Sequence, residues 1–229
     1  MFSRVTMILA FIVGVCGTAA AQGRMAPAPI YNWTGFYAGA FGGYAWGKFG
    51  ANPEHFASTT DIKDDGTMAG LQGGYRHQFI NNFVIGGELM LPLYMTKGTA
   101  RDIANPAITY EAKLNWAFLA NAQLGYAYGR FLPYVFVGGG WTNVTGTTFN
   151  VSKAGVFALG QSDSVTVTHR ALIAGFGLNY AVTDKFGLGL RYTYIDLSKE
   201  NYEMAWNAPP PNPFWWNAST LFVTAEYRF

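Results

Sequence analysis

Residues Leu114–Tyr128 read LNWAFLANAQLGYAY, with Leu114, Trp116, Phe118, Ala120, Ala122, Leu124, Tyr126 and Tyr128 at every second position. Asn115, Asn121, Gln123 and Gly125 stand between them. Side chains alternate between the two faces of an extended chain, so this stretch makes one apolar face and one polar or small face. A helix would need a period of 3.6, which the stretch lacks. The same alternation returns in Leu172–Tyr180, Phe186–Asp196, Ala69–Gln78, Phe83–Leu93 and Leu221–Phe229. Gly35–Gly47 and Pro133–Val144 have strand length but carry glycines that blur the two faces, and they bring the number of predicted strands to eight.

The connections also alternate. INN (80–82), GRFL (129–132) and TDK (183–185) are tight turns. Segments 48–66, 96–108, 145–164 and 198–217 are long and polar, or rich in Pro and Asn, and read as loops. Short turns at one end, long loops at the other and an even strand count describe an antiparallel up-and-down barrel. Composition decides which solvent surrounds it. Half of the residues are hydrophobic and 17% aromatic, yet only 12% are charged, about half the share of an ordinary soluble domain. In a soluble barrel the oily faces would turn inward, and Trp116, Tyr126, Tyr128, Tyr192 and Tyr194 would crowd a small lumen. With the oily faces outward they meet lipid instead. The fold expected is therefore all-β, an eight-stranded antiparallel up-and-down transmembrane β-barrel. The formal net charge of +2 with scattered basic residues excludes a nucleic-acid footprint.

The opening MFSRVTMILAFIVGVCGTAAAQ has a basic residue, Arg4, an apolar stretch from Met7 to Val15 and the small residues Ala19–Ala21. It reads as a secretory signal peptide over 1–21, too short for a membrane anchor. The one cysteine, Cys16, lies inside it, so the mature chain is expected to hold no disulfide. A Pro- and Ala-rich flexible lead-in is expected over 22–33 and the barrel domain over 34–229, the first strand pairing with the last to close it.

Inward positions carry Arg76, Glu88, Gln123, Arg191 and Glu226, with Arg228 near the periplasmic end. Opposite charges inside a barrel make each other's burial tolerable, and eight strands enclose a lumen just wide enough for side chains to fill. A polar network filling the lumen is expected, in place of a constriction that passes solutes. Inward glycines at 86, 175, 177, 187 and 189 leave room for water and slow leakage. In the last long loop Trp206, Phe214, Trp215 and Trp216 gather around four prolines and offer a candidate binding surface. The competing reading rests these rings in the outer girdle or across the barrel mouth. Asp163, Ser164 and His169 are close in sequence, but positions five apart in a strand face opposite ways. No catalytic constellation is expected, and the chain reads as non-enzymatic.

NWTGFYAGAFGGYAWG (32–47), VIGGELML (84–91), LGLRYTYIDL (188–197) and the closing AEYRF resemble outer-membrane β-barrel (porin-family) domain proteins related to the OmpA-type barrel. The resemblance runs over essentially the whole mature chain. It implies a cell outer-membrane location among lipid and lipopolysaccharide, and insertion by the barrel-assembly machinery, with Tyr227 and Phe229 as the assembly signal. It does not extend to a peptidoglycan-anchoring role. Some members of such families are linked to haem; His55, His77, His169 and Tyr202 are the candidate ligands, but no two histidines stand at ligand spacing, so no cofactor and no metal are expected. The function expected is structural, in envelope integrity and surface interaction, with little or no conductance and a monomeric state. The alternatives are a small diffusion channel, or a receptor or adhesin acting through the long loops.

Overall fold

The computed structural model describes residues 31–51, 62–95, 97–101, 107–151, 157–202 and 212–229; the signal segment, most of the lead-in, His55 and Trp206 lie outside them. The strands are β1 (Gly35–Ala51), β2 (Ile62–Gln78), β3 (Phe83–Met95), β4 (Gly98–Arg101), β5 (Thr109–Tyr126), β6 (Phe131–Val151), β7 (Phe157–Ala181), β8 (Phe186–Tyr202) and β9 (Asn212–Arg228). Sequence neighbours pair antiparallel except β3 and β4, which both pair with β5, and β1 pairs with β9, so the sheet closes. β3 and the short β4 share one place in the wall, which makes this an eight-stranded barrel. The β3–β5 ladder ends at Met90, two residues before Pro92, which has no N–H to give. β4 resumes the pairing from Gly98.

The outward faces follow the predicted alternation. Toward the short turns, which mark the periplasmic end, Phe and Tyr stand directly opposite each other on four strand pairs: Phe36–Tyr75, Phe83–Tyr126, Phe131–Tyr180 and Phe186–Tyr227. Their ring centroids lie 4.8, 5.5, 4.7 and 5.1 Å apart. Ten residues along β1, β5 and β6 from these pairs stand Trp46, Trp116 and Trp141. Ten residues rise about 33 Å along a strand, and a tilt of about 40° reduces that to about 25 Å, the height of an outer-membrane apolar band. Between the two rows, no outward side chain among the described residues is charged.

Three boundaries differ from the sequence reading. Phe131 and Leu132, taken as part of a turn, already belong to β6, because the turn closes at Gly129–Arg130, where Tyr128 and Phe131 exchange backbone hydrogen bonds of 2.8 and 3.0 Å. The segments read as long loops are largely strand. β1 runs to Ala51, β2 starts at Ile62, β4 lies inside 96–108, β6 and β7 cover most of 145–164, and β8 and β9 enter 198–217. Polarity misled there: above the band the outer face leaves lipid and both faces carry polar or small residues, so alternation fades although the ladder continues. Finally, a β-bulge between Leu114 and Trp116 inverts the pattern on β5. Leu114 pairs with inward Val144 and leaves the oily face, while Lys113 pairs with outward Thr145.

Inward glycines are covered by larger side chains. Tyr37 opposes Gly74, Phe41 opposes Gly70, Tyr134 opposes Gly177, and Phe136 opposes Gly175. A methyl group added at these glycines would meet those rings at 2.8, 2.7, 2.6 and 2.6 Å respectively. Each ring therefore lies flat over a neighbour that has no side chain. Arg76, Glu226 and the Asn179–Thr224 pair cover Gly86, Gly187 and Gly189 in the same way. The glycines expected to leave water-filled space make room for rings and polar chains instead. Gly177→Val is expected to lower stability by about 1–3 kcal/mol in urea unfolding from lipid vesicles. Gly87→Val, on the lipid side with nothing within 4 Å of the added methyl, should be close to neutral, and Tyr134→Ala should partly restore the Gly177→Val protein.

Candidate functional site

All five lumen residues singled out from the sequence meet in one network. β2 supplies Arg76, β3 Glu88, β5 Gln123, β8 Arg191 and β9 Glu226, each on the inward face of its strand and each nearly inaccessible. Arg76 grips Glu226 with two parallel hydrogen bonds, Nη1 to Oε1 at 2.7 Å and Nη2 to Oε2 at 3.0 Å. Arg191 Nη1 donates to Glu88 Oε1. Two cations and two carboxylates thus cancel within the barrel, which is what lets charges persist in a buried interior.

Two bridges join the ion pairs. Tyr37 on β1 donates its hydroxyl to Glu88 Oε2 at 2.8 Å, and the Arg76 guanidinium carbon sits 3.8 Å from its ring centroid. Asn121 donates to Glu88 at 3.1 Å and accepts from Gln123 at 3.2 Å, and Gln123 in turn accepts from Arg76 Nε at 3.4 Å. Arg191 is stacked on Phe136 at 3.8 Å. Sequence reasoning missed Tyr37 and Phe136. The signal for Tyr37 was the adjacent pair Phe36–Tyr37: neighbours in a strand face opposite ways, so one ring had to enter the lumen.

The network has an apolar layer on each side. Toward the outer end Phe41, Met68, Met90, Leu119, Ile173 and Phe222 are among the buried residues packed across the lumen. Toward the periplasm Tyr31 and Trp33 pack with Val84, Ala127, Leu132 and Ala181. Residues 31–33, grouped with the flexible lead-in by the sequence reading, are therefore seated in the barrel mouth, with Trp33 only 1% exposed. They are held by specific bonds: Trp33 N–H to Gln78 Oε1 at 2.8 Å, Arg228 Nη1 to the Asn32 carbonyl at 2.6 Å, and the Tyr31 hydroxyl to the Asp184 carbonyl at 3.2 Å. Arg228 also lies 4.3 Å from the Tyr31 ring centroid. Burial pushes the Tyr31 hydroxyl above its ordinary pKa, although Arg228 beside it acts in the opposite direction.

Among the described side chains, the other candidates do not come together in one place. Trp216 is half-buried against the apolar lumen layer, near enough to Gly47 that an added methyl would meet its Nε1 at 2.9 Å. It is a residue of β9 and packs against that layer. Phe214 and Trp215 belong to β9, opposite Ala51 and Gly50; their side chains, like that of Tyr202, lie outside what is described. His169, one of the candidate ligands, is buried with Nδ1 3.0 Å from the Ser198 carbonyl, because its strand position faces the lumen. His77 stacks edge-on to Phe79 at 4.9 Å on the exposed side near the periplasmic turn. Ser164 is exposed and His169 buried, on opposite faces of β7. No cluster of metal-binding side chains occurs among the described residues. Tyr227 donates its ring to the Phe186 pair and stands 5.4 Å from Phe229, whose N–H reaches the Phe36 carbonyl at 3.2 Å.

Glu226→Gln leaves the Arg76 charge buried without its carboxylate. A loss of about 3–5 kcal/mol is expected, read from urea unfolding in vesicles. Arg76→Met combined with Glu226→Leu should cost less than Glu226→Gln alone, since no charge is stranded.

The comparisons with known proteins agree with this architecture. Residues 7–229 match the family model described as outer membrane protein beta-barrel domain. The 31 kDa outer-membrane immunogenic protein of Brucella melitensis is 29% identical over 188 residues, covering 77% of this chain and 76% of the relative. The 25 kDa outer-membrane immunogenic protein of Brucella canis is 25% identical over 178 residues, covering 78% and 72%. Among solved structures, the outer membrane protein OprG from Pseudomonas aeruginosa superimposes with a TM-score of 0.53 at 13% identity, covering 87% of this chain and 99% of that one; this likeness concerns the fold alone. With the closed sheet, the outward apolar band and the family match over nearly its whole length, the chain belongs to the outer membrane protein beta-barrel domain family and resides in the outer membrane.

Proposed function

We propose that this barrel is a closed, non-enzymatic element of the outer membrane, contributing to envelope integrity and presenting its outer rim for surface interactions, with little or no conductance. The observation that carries the reading is the filling of the lumen in three successive layers: Trp33 and its apolar neighbours, the Arg76–Glu226 and Arg191–Glu88 network, and the ring- and Met-lined layer above. A solute passing through would have to displace all three. The diffusion-channel alternative lacks a comparable support.

The surface role draws on the height of the strands. β6 continues ten residues past Trp141 to Val151, about 33 Å along the strand, and β7 runs alongside it. The relatives named as immunogenic outer-membrane proteins are compatible with such a reachable rim. As a member of a barrel family, the chain is taken to insert through the barrel-assembly machinery and to act as a monomer, Tyr227 and Phe229 serving as the recognised residues.

In planar bilayers the purified protein is expected to show no steady open state, and Trp33→Gly alone should not create one, because the two layers above it remain. Large, steady channels in the unaltered protein would overturn the closed-barrel reading. Phe229→Asp should slow insertion into vesicles supplied with the assembly machinery while leaving the urea midpoint of the inserted fraction nearly unchanged; insertion at the normal rate would remove Phe229 from the signal.

A further inference from the structure

The outward surface just above the apolar band is not uniform around the barrel. Ten residues from the periplasmic girdle, β2 and β8 present Asp65 and Asp196, and β9 presents Asn217. On β5, β6 and β7 the same height carries exposed Trp116, Trp141 and Arg170, with Arg170 directly opposite Trp141. One step higher, Asn115, Asn143 and Thr168 are linked side chain to side chain: Asn115 Nδ2 donates to Asn143 Oδ1 at 2.8 Å, and Asn143 Nδ2 to Thr168 Oγ1 at 2.9 Å. Asn115 also donates to Thr145 Oγ1 at 2.8 Å, and Thr145 meets Thr166 at 2.8 Å. These bonds hold the amides and hydroxyls in one ordered outward sheet.

Lys113 completes the patch, and it does so because of the bulge. Had alternation run unbroken through Asn115, Lys113 would share the inward face of Ala117 and Leu119. With it, Lys113 stands opposite Thr145 on the outer face and is exposed. Bulges re-aim side chains in this way. Carboxylates stand at both ends of the patch, but among the described contacts none forms an ion pair with either cation. Glu111, two residues from Lys113, is bound by Lys97 at 2.9 Å. Asp196 on β8 stands opposite Leu172 and so diagonal to Arg170, on the side away from Asn143, and Glu200 accepts from Ser198 at 2.9 Å. From strand spacing and rise, the Cα atoms of Lys113 and Arg170 are about 16 Å apart, with Asn143 between them.

We propose that this face of β5–β7 is a seat for a phosphorylated glycolipid of the outer leaflet. Arg170 and Lys113 bind its phosphate groups, Asn115, Asn143 and the threonines meet its sugar hydroxyls, and Trp116 and Trp141 take the boundary between sugar and acyl chain. Guanidinium and ammonium groups at a membrane surface favour anionic headgroups, and indole rings favour the interface. The acidic residues on β2 and β8 repel the same headgroup, so the seat is confined to one side. The inference deepens the envelope role given above and rests on that reading's membrane location, not on its closed lumen.

The test uses the full mature chain reconstituted in phosphatidylcholine vesicles containing bisphosphorylated lipid A, with the retained lipid A counted by native mass spectrometry after detergent extraction. The unaltered protein should retain lipid A, and K113Q/R170Q should lose retention at least about tenfold, as expected for two surface cations. D65N, on the far side, should leave it unchanged. Folding of each variant is checked by heat-modifiable migration in phosphatidylcholine alone. Equal retention by K113Q/R170Q would overturn the seat. So would full displacement of lipid A by phosphatidylglycerol, which would reduce it to general attraction for anionic lipid, or by millimolar inorganic phosphate, which would reduce it to a phosphate site. Conductance measured on the same vesicles reports separately on the closed lumen.

Discussion

Hydrocarbon offers the backbone no hydrogen-bond partner, and the whole architecture follows from that lack. Every strand crossing the band must find two neighbours, so the last must meet the first; the β1–β9 ladder from Tyr37–Arg228 to Ala51–Phe214 is how this chain complies. Closure in turn fixes an inside and an outside, and alternation then assigns each residue to one of two solvents. The uncharged outward band, framed by Phe–Tyr pairs below and indoles above, is the direct result.

The inside presents the opposite difficulty. Eight strands leave a narrow lumen, yet rings, arginines and glutamates are all directed into it. Two devices make this possible. Rings sit opposite glycines, so two neighbouring positions share the volume of one large side chain. Charges occur in matched pairs and are cross-linked by Tyr37 and the Gln123–Asn121 chain, so none is stranded. Glycine on the inward face thus has a packing role here as well as a conformational one, which explains how a chain with 28 glycines builds a filled interior.

The periodic parts of this fold were legible in the sequence because each side of the sheet meets a different medium. Leu172–Tyr180 and Phe186–Tyr194 could be assigned to lipid by spacing alone, and the charged positions between such runs had to be lumenal. Legibility ended where the media became alike. Above the band both faces carry polar or small residues, so β6 and β7 extended through a segment that read as loop. The bulge at Asn115 left no periodic trace beyond one misplaced residue, Leu114. Trp216 looked like part of a proline-rich loop because its neighbours are unusual, although its register with Phe49 places it on a strand. Tyr31 and Trp33 read as linker because nothing in a short apolar segment reveals the cavity that will receive it.

That receiving cavity has parts from distant points of the chain. Gln78 comes from the end of β2, Asp184 from the turn before β8, and Arg228 from the end of β9. A segment near the start of the barrel domain is therefore bound by groups that come together only when the final strand has joined the ring. The seat is complete only when the side wall is: Arg228, at the end of the last strand, holds the Asn32 carbonyl, so the full set of bonds around residues 31–33 needs the closed ring. That bond is then a local record of a global event, since Arg228 stands beside Asn32 only with the last strand in its place in the ring.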